Sequence, residues 1–436
     1  MRSIFVYIIK GFAIQVLGWP NSMLGRGFFY ASICSLACCM STSSSAQSIA
    51  ELSELLSGEN PSLKALTQQY LAMEEKAPQL SQLPQPELGV GAFVAPVETR
   101  LGAQRARFSV SQMFPWFGTL ESKAQLAQAR ASVEKERIGD LSLELIFKLK
   151  SAYFQLYEIR QTQNILQRKS NLLDRLRELA LNQIESGSGS AADVLRVELQ
   201  LQALEQEVRI LQNKEKQPLA TINHLLKRPL SNPINTPDTL EFAALEIRPD
   251  SLHNTLLTQH PRLIGLTQKQ AVSQQALLVN KLEGKPSFGV GADYIVLSQR
   301  TDADPSQNGR DILQVSAKVS VPLYRKKYEA KEREEKLKIE ALNFQKEAVI
   351  QDFLNGIDQA VTAHEEAALR LSLYQQQIAT TQTASRFTQA TYSNSGSRFD
   401  ELLQLEQDLI QYDLQILKAI VNSHLAKASI DRYLNF

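Results

Sequence analysis

The sequence has few thiols, long stretches without proline, and no excess of charge of either sign. Its three cysteines, Cys34, Cys38 and Cys39, all lie before residue 40. A disulfide-stapled scaffold is therefore excluded for the rest of the chain. Beyond residue 46 the methionines are Met73 and Met113, so there is no thioether cluster for soft metals. His224, His253, His260, His364 and His424 are scattered, and His364-Glu365-Glu366 lacks the second histidine of a helical zinc site. No glycine-rich phosphate loop and no nucleophile elbow is present. The expectation is a protein with no catalytic residues, no cofactor and no metal. Lys+Arg number 47 against 46 Asp+Glu, a net charge of +1, which argues against a nucleic-acid binder. The mean hydropathy of −0.22 excludes a polytopic helical membrane protein.

What is present begins with a leader. Residues 1–46 carry Arg2, Lys10 and Arg26 and no acid. An apolar run from Phe28 to Met40 then leads into Ser44-Ser45-Ala46. At about 13 residues the run is short for a bilayer span, and the small residues after it suit a signal-peptide cleavage site. The mature chain would start near Gln47, free of thiols. Met23 as the start and lipidation of Cys38 are alternatives that the residues leave open.

The remaining 390 residues contain a duplication. Asn60-Pro61-Ser62-Leu63 returns as His260-Pro261-Arg262-Leu263, and Pro86 to Ala92 returns as Pro286 to Ala292, both at an offset of 200. Phe108 to Pro115 returns as Val315 to Pro322, and Gly189-Ser190 as Gly396-Ser397, at an offset of 207. The chain divides into 47–228, a proline-rich linker 229–248, and 249–436. Length alone would have suggested two or three globular domains.

Each repeat carries two segments of period two. Leu88, Val90, Ala92 and Val94 alternate with glycines, and Phe288, Val290, Ala292, Tyr294 and Val296 do the same. Val315, Ala317, Val319 and Val321 alternate with Ser316, Lys318 and Ser320. Phe108 and Val110 begin a similar pattern that Gln112 and Met113 break. Such strands fit a soluble hairpin or a membrane barrel equally. The spans Pro115–Gly189 and Pro322–Gly396 each cover 74 residues with no proline between. Helices filling them would be on the order of 100–110 Å long. Steps of three and four along Leu145, Leu149, Ala152, Leu156 and Ile159, and along Val194 to Leu211 and Leu402 to Ala419, predict coiled-coil packing. Shorter helices over 61–86, 190–228, 261–286 and 397–435 line the long ones. Gly187 and Gly189, and Gly396 in the second repeat, mark the tip turns.

Four strands cannot close a barrel, and open strand edges cannot face lipid. Membrane strands would require several chains to share one barrel. With these features together, the mature sequence resembles the TolC family of bacterial outer-membrane efflux proteins over essentially its whole length. Phe114-Pro115-Trp116-Phe117-Gly118 is similar to the heavy-metal efflux subgroup. The resemblance implies a mainly α fold with a small β part: a homotrimeric α-barrel tunnel under a shared 12-stranded β-barrel. It implies an outer-membrane location with a long periplasmic portion, and a passive duct in contact with outer-membrane lipid. Its partners would be a periplasmic adaptor protein and an inner-membrane pump of the RND type. It implies a periplasmic gate in which Arg398 pairs with Asp193 and Tyr392 takes part. An acidic ring above that gate is not matched, since Leu402-Leu403-Gln404-Leu405 stand there. Phe114, Trp116, Phe117 and Tyr324 sit at strand exits, where an interfacial aromatic belt belongs. An exported coiled-coil scaffold without channel activity, or the exit duct of a type I secretion system, are the rival readings.

Overall fold

A computed structural model describes residues 48–245, 256, 258–395 and 397–434. The leader with its cysteines, Gly396 and Phe436 lie outside the described residues.

The chain opens with three short helices, α1 (Ile49–Glu59), α2 (Pro61–Glu74) and α3 (Lys76–Leu80). Strands β1 (Glu87–Ala92), β2 (Glu98–Thr99) and β3 (Gly102–Phe114) follow, then the long α4 (Thr119–Glu185) and its return α5 (Ala191–Leu225). The second repeat gives α6 (Pro261–Glu283), β4 (Ser287–Leu297), β5 (Ile312–Ser320), α7 (Lys326–Ser395) and α8 (Phe399–Leu434). At 67 and 70 residues, α4 and α7 are each on the order of 100 Å long. No helix among the described residues is long and apolar enough to cross a membrane.

Sequence explains most of these boundaries. Asn60 caps α2 by accepting from the Ser62 and Leu63 amides, and Pro61 takes the first helical position, where its missing N–H costs nothing. Ser190 caps α5 through the Ala192 amide at 3.2 Å. Gly118, at φ +78°, turns the chain from β3 into α4. The expected helix 61–86 is instead broken at Glu75 and ends at Leu80. Pro78 lacks an N–H and is best accommodated in the first turn of a helix, and a new helix starts just before it. Helix α1 falls outside the expectation from sequence, although Ser48 and Glu51 form a complete capping box at its start. The suspected break at Gln112 and Met113 is absent, and β3 runs on to Phe114.

The helices pack as the three- and four-residue steps require. Leu145, Leu149, Ala152 and Leu156 join Leu52, Leu56, Ile222, Leu417 and Val421 in one core. A second core holds Leu173, Ala180, Val197, Leu204, Leu402 and Tyr392, and a third holds Leu263, Leu266, Ile350, Phe353 and Ile357. Residues 226–245, after α5, form no helix or strand and are strapped to the helices. Arg160 donates to the Ile234 carbonyl at 2.5 Å and pairs with Glu215 at 2.8 Å. The Leu240 amide donates to the Tyr157 hydroxyl, and the Ala243 amide to Ser423 Oγ, each at 3.0 Å. Imidazole nitrogens of His364 and His424 contact the Ala243 and Glu241 carbonyls.

The strands form one antiparallel sheet in the order β1-β3-β4-β5, with β2 paired to β3 beyond the main ladder. The two strand pairs are thus one sheet, because β3 of the first repeat pairs with β4 of the second.

Candidate functional site

Two regions carry the features that sequence singled out: the sheet, and the helix tips at Ser186–Ser190 and 393–400.

The register sets most apolar residues of the sheet on one face, with Met113, Ile295, Leu297 and Ile312 on the other. Leu88, Val90 and Ala92 oppose Val110, Phe108 and Ala106, and these in turn oppose Ala292, Tyr294 and Val296. Tyr294 and Ala292 then oppose Leu313 and Val315. The other face carries Gly89, Gly91, Ser109, Ser111, Gly289, Gly291, Ser316 and Lys318. A soluble sheet buries its apolar face. Here the burial is inverted: in β4, Gly289, Asp293, Ile295 and Leu297 are buried, while Phe288, Val290 and Tyr294 are exposed. At the sheet's edges Leu88 is 81% exposed and Val315 79%. The small-residue face holds an ion pair, Arg107 Nη2 to Asp293 Oδ1 at 2.8 Å. A Cβ on Gly289 would meet the Met113 sulfur at 2.4 Å, so a side chain there would require the flexible methionine to swing away. Each of the edges β1 and β5 is paired on one side within the chain.

At the strand exits Trp116 packs on Phe288 with ring centroids 5.8 Å apart, and edge-on to Phe117 at 6.0 Å. Phe114, Phe117 and Tyr324 are exposed. Phe288 is the partner that sequence reading missed; its register opposite Phe114 is set by β3–β4 pairing, which is non-local.

At the tip, Gly187 adopts φ +77°, and the Ser188 and Gly189 amides both donate to the Gln183 carbonyl. A Cβ on Gly189 would lie 2.6 Å from the Ile184 nitrogen. The second turn uses Arg398 itself at φ +69°. Gln183 Nε2 donates to the Ser393 carbonyl at 3.1 Å, which joins the two tips. Asp193 and Tyr392 come together in the buried interior. Tyr392 is fully buried, packs on Phe399, and turns its hydroxyl toward Asp193 without closing a full hydrogen bond. Burial, then the Asp193 charge, push the Tyr392 hydroxyl up to about 12. Burial and the neighbouring Asp400 raise the Asp193 carboxyl, against the pull of Arg196. Within the chain Arg398 is not the partner of Asp193: its guanidinium faces Glu401 at 3.5 Å. The cation beside Asp193 is Arg196, at 3.7 Å, which also contacts Asp400 across the two repeats. Sequence reading missed Arg196, although its place one helical turn after Asp193 was the available signal.

No group of three or more His, Cys, Asp or Glu able to hold a metal occurs among the described residues. No family model and no curated protein matches the sequence. Solved structures do match. CusC, described in terms of folding and transmembrane channel formation, superposes with a TM-score of 0.74 at 14% identity, over 88% of this chain and 91% of that one. The Neisseria gonorrhoeae MtrE outer membrane channel in its open state gives 0.69 at 16% identity, with 88% of each chain covered. The Campylobacter jejuni CmeC outer membrane channel gives 0.68 at 12% identity, over 95% and 94%. The chain has the fold of these outer-membrane channels. This is the mainly helical fold with a small sheet that the resemblance to the TolC family implies. In this channel fold the inverted sheet and the paired tips stand at opposite ends of α4 and α7, since each long helix leaves a strand exit and ends at a tip turn.

Proposed function

We propose that the protein is the outer-membrane channel of a tripartite efflux system, a passive duct without enzymatic activity. The observation that carries this reading is the sheet, whose apolar face is largely exposed while the glycine and serine face is more sheltered at its centre, where Gly289 and Asp293 are buried. Such a sheet suits lipid outside and a polar lumen inside. Its two one-sided edges would be satisfied by neighbouring copies. Three copies of the four-stranded ladder give the 12 strands of a closed barrel, and α4, α5, α7 and α8 continue its wall into the periplasm. A periplasmic adaptor and an RND-type inner-membrane pump would engage the helical end and supply the energy. The gate lies at the tip, where Asp193, Tyr392, Arg196 and Arg398 sit at the start of α5 and around the second turn.

The test is extraction, mass and conductance. The full-length protein should leave bacterial envelopes only with detergent, run as a trimer, and form discrete channels in planar bilayers. A monomer that is soluble without detergent would replace this reading with that of an exported coiled-coil scaffold.

A further inference from the structure

Below the sheet the two repeats diverge sharply. The first leaves β3 through Pro115-Trp116-Phe117-Gly118 and carries no base until Lys123. The second leaves β5 through Pro322-Leu323-Tyr324 and then places Arg325, Lys326 and Lys327 in succession. Lys326 begins α7, where the helix dipole disfavours cations. Further along α7 the lysines are occupied: Lys331 and Lys338 by Glu334 and Glu335, Lys336 by Glu332. Arg325, Lys326, Lys327, Lys281 and Lys285 make no ion pair among the described residues, and all five are exposed.

Local contacts bring Arg325, Lys281 and Lys285 to one cleft, with Lys326 and Lys327 next along the chain from Arg325. Arg325 Nη1 donates to the Gly284 carbonyl at 3.1 Å, and Asn280 Nδ2 to the Tyr328 carbonyl at 2.9 Å. These bonds staple the end of α6 to the start of α7. Between them opens a cleft of about 710 Å³, lined by Leu278, Lys281, Lys285, Arg325 and Tyr328, with Glu329 as its unpaired acid. Exposed Val321, Leu323 and Tyr324, the last 88% exposed, carry the chain from the end of β5 to Arg325 at the cleft.

We propose that this cleft binds the phosphate of an anionic glycerophospholipid in the leaflet nearer the helices, with the acyl chains lying along Leu323, Tyr324 and the apolar strands. The assignment rests on the membrane reading of the sheet. Charge complementarity and continuity with the apolar face select a lipid. A soluble anion would have no use for the adjoining hydrocarbon surface.

The experiment uses the full-length protein in neutral detergent, titrated with fluorescent phosphatidylglycerol and with phosphatidylcholine of the same chains. Phosphatidylglycerol should bind more tightly, and added salt should narrow the gap. In Arg325→Gln/Lys326→Gln/Lys327→Gln the preference should fall by about fivefold per base removed, with oligomer size unchanged. Lys281→Gln/Lys285→Gln, away from the helix start, should act in the same direction, and Lys214→Gln/Lys216→Gln on α5 should do nothing. Equal binding of both lipids by the native protein overturns the proposal, as does a preference that survives the triple variant. Displacement of the lipid by inorganic phosphate at equal concentration also overturns it, in favour of a small-anion site. A protein that needs no detergent and binds neither lipid overturns the membrane reading itself, a result distinct from membrane binding without headgroup preference.

Discussion

At residue 60 the first repeat caps its short helix with asparagine, and two hundred residues later the second uses histidine in the same place. Asn60 Oδ1 accepts the amide two residues on at 2.9 Å, and His260 Nδ1 does so at 3.1 Å. The tips show the same kind of divergence, with Gly187 in the left-handed region at one turn and Arg398 at the other. So do the strand exits, aromatic in the first repeat and basic in the second. The duplication therefore conserves geometry: helix starts, strand register and turn shape recur. The side chains that fill these positions have moved apart in chemistry, and the differences concentrate at the ends of the elements, where polar groups meet solvent, lipid or each other.

Four perturbations probe that comparison. The largest effect should come where the repeats are still alike. Val90→Lys and Val290→Lys place a charge on the apolar sheet face at equivalent positions. Each should cost roughly 2–4 kcal/mol if the residue faces lipid, read as loss of detergent-resistant trimer. Ser316→Lys on the opposite face should assemble normally. Unequal effects at 90 and 290 would mean that only one strand pair meets the membrane.

Next comes the cap. Burial, and then the Arg262 charge, lower the His260 imidazole to about 4. Its Nδ1 accepts a hydrogen bond only when neutral. The unfolded chain binds the proton more readily, so the stability from this group is complete above its ordinary pKa of about 6.5 and is lost as pH falls toward 4. The loss should reach up to about 3 kcal/mol, visible as faster amide exchange in α6 and not in α2. His260→Asn should make the two repeats equally acid-resistant.

The tips should show opposite signs. Gly187→Ala forces a Cβ into the left-handed region and should destabilise by about 1 kcal/mol, whereas Arg398→Gly relieves such strain by a similar amount. Exchange rates of amides in the first turns of α5 and α8 would report both. The smallest thermodynamic effect is expected for Arg196→Gln, because exposed ion pairs are worth about 0–1 kcal/mol. Conductance is the more sensitive readout. If the Arg196 link between repeats holds the tip, Arg196→Gln should raise single-channel conductance more than Arg398→Gln, and the reverse order would return the role to Arg398.

Much of this was legible in the residues. Proline-free spans fixed the reach of α4 and α7, because a helix stops mainly where capping or proline stops it. Alternation located the strands to within a few residues at most ends. What escaped was decided by partners far away in sequence. The pairing of β3 with β4 depends on two segments nearly two hundred residues apart, and with it the contact of Trp116 on Phe288. Within one chain the cation beside Asp193 is Arg196, reached from within one helix, while family likeness pointed across the tip to Arg398. Helix α1 lies outside the repeated segments, and its only local signal is the capping box complete within four residues, Ser48 to Glu51.

The core that joins Leu52 and Leu56 to Leu417 and Val421 also governs when the protein can fold. Roughly 370 residues separate the first of these side chains from the last, and at 5–20 residues per second their synthesis takes on the order of 20–70 s. For that interval α4 has no finished surface to rest on. The first repeat and the segment after it supply most of this core, and Leu417, Val421 and Ala428 close it only when the last helix arrives. Time spent with that core open is built into the sequence by where its final turns must dock.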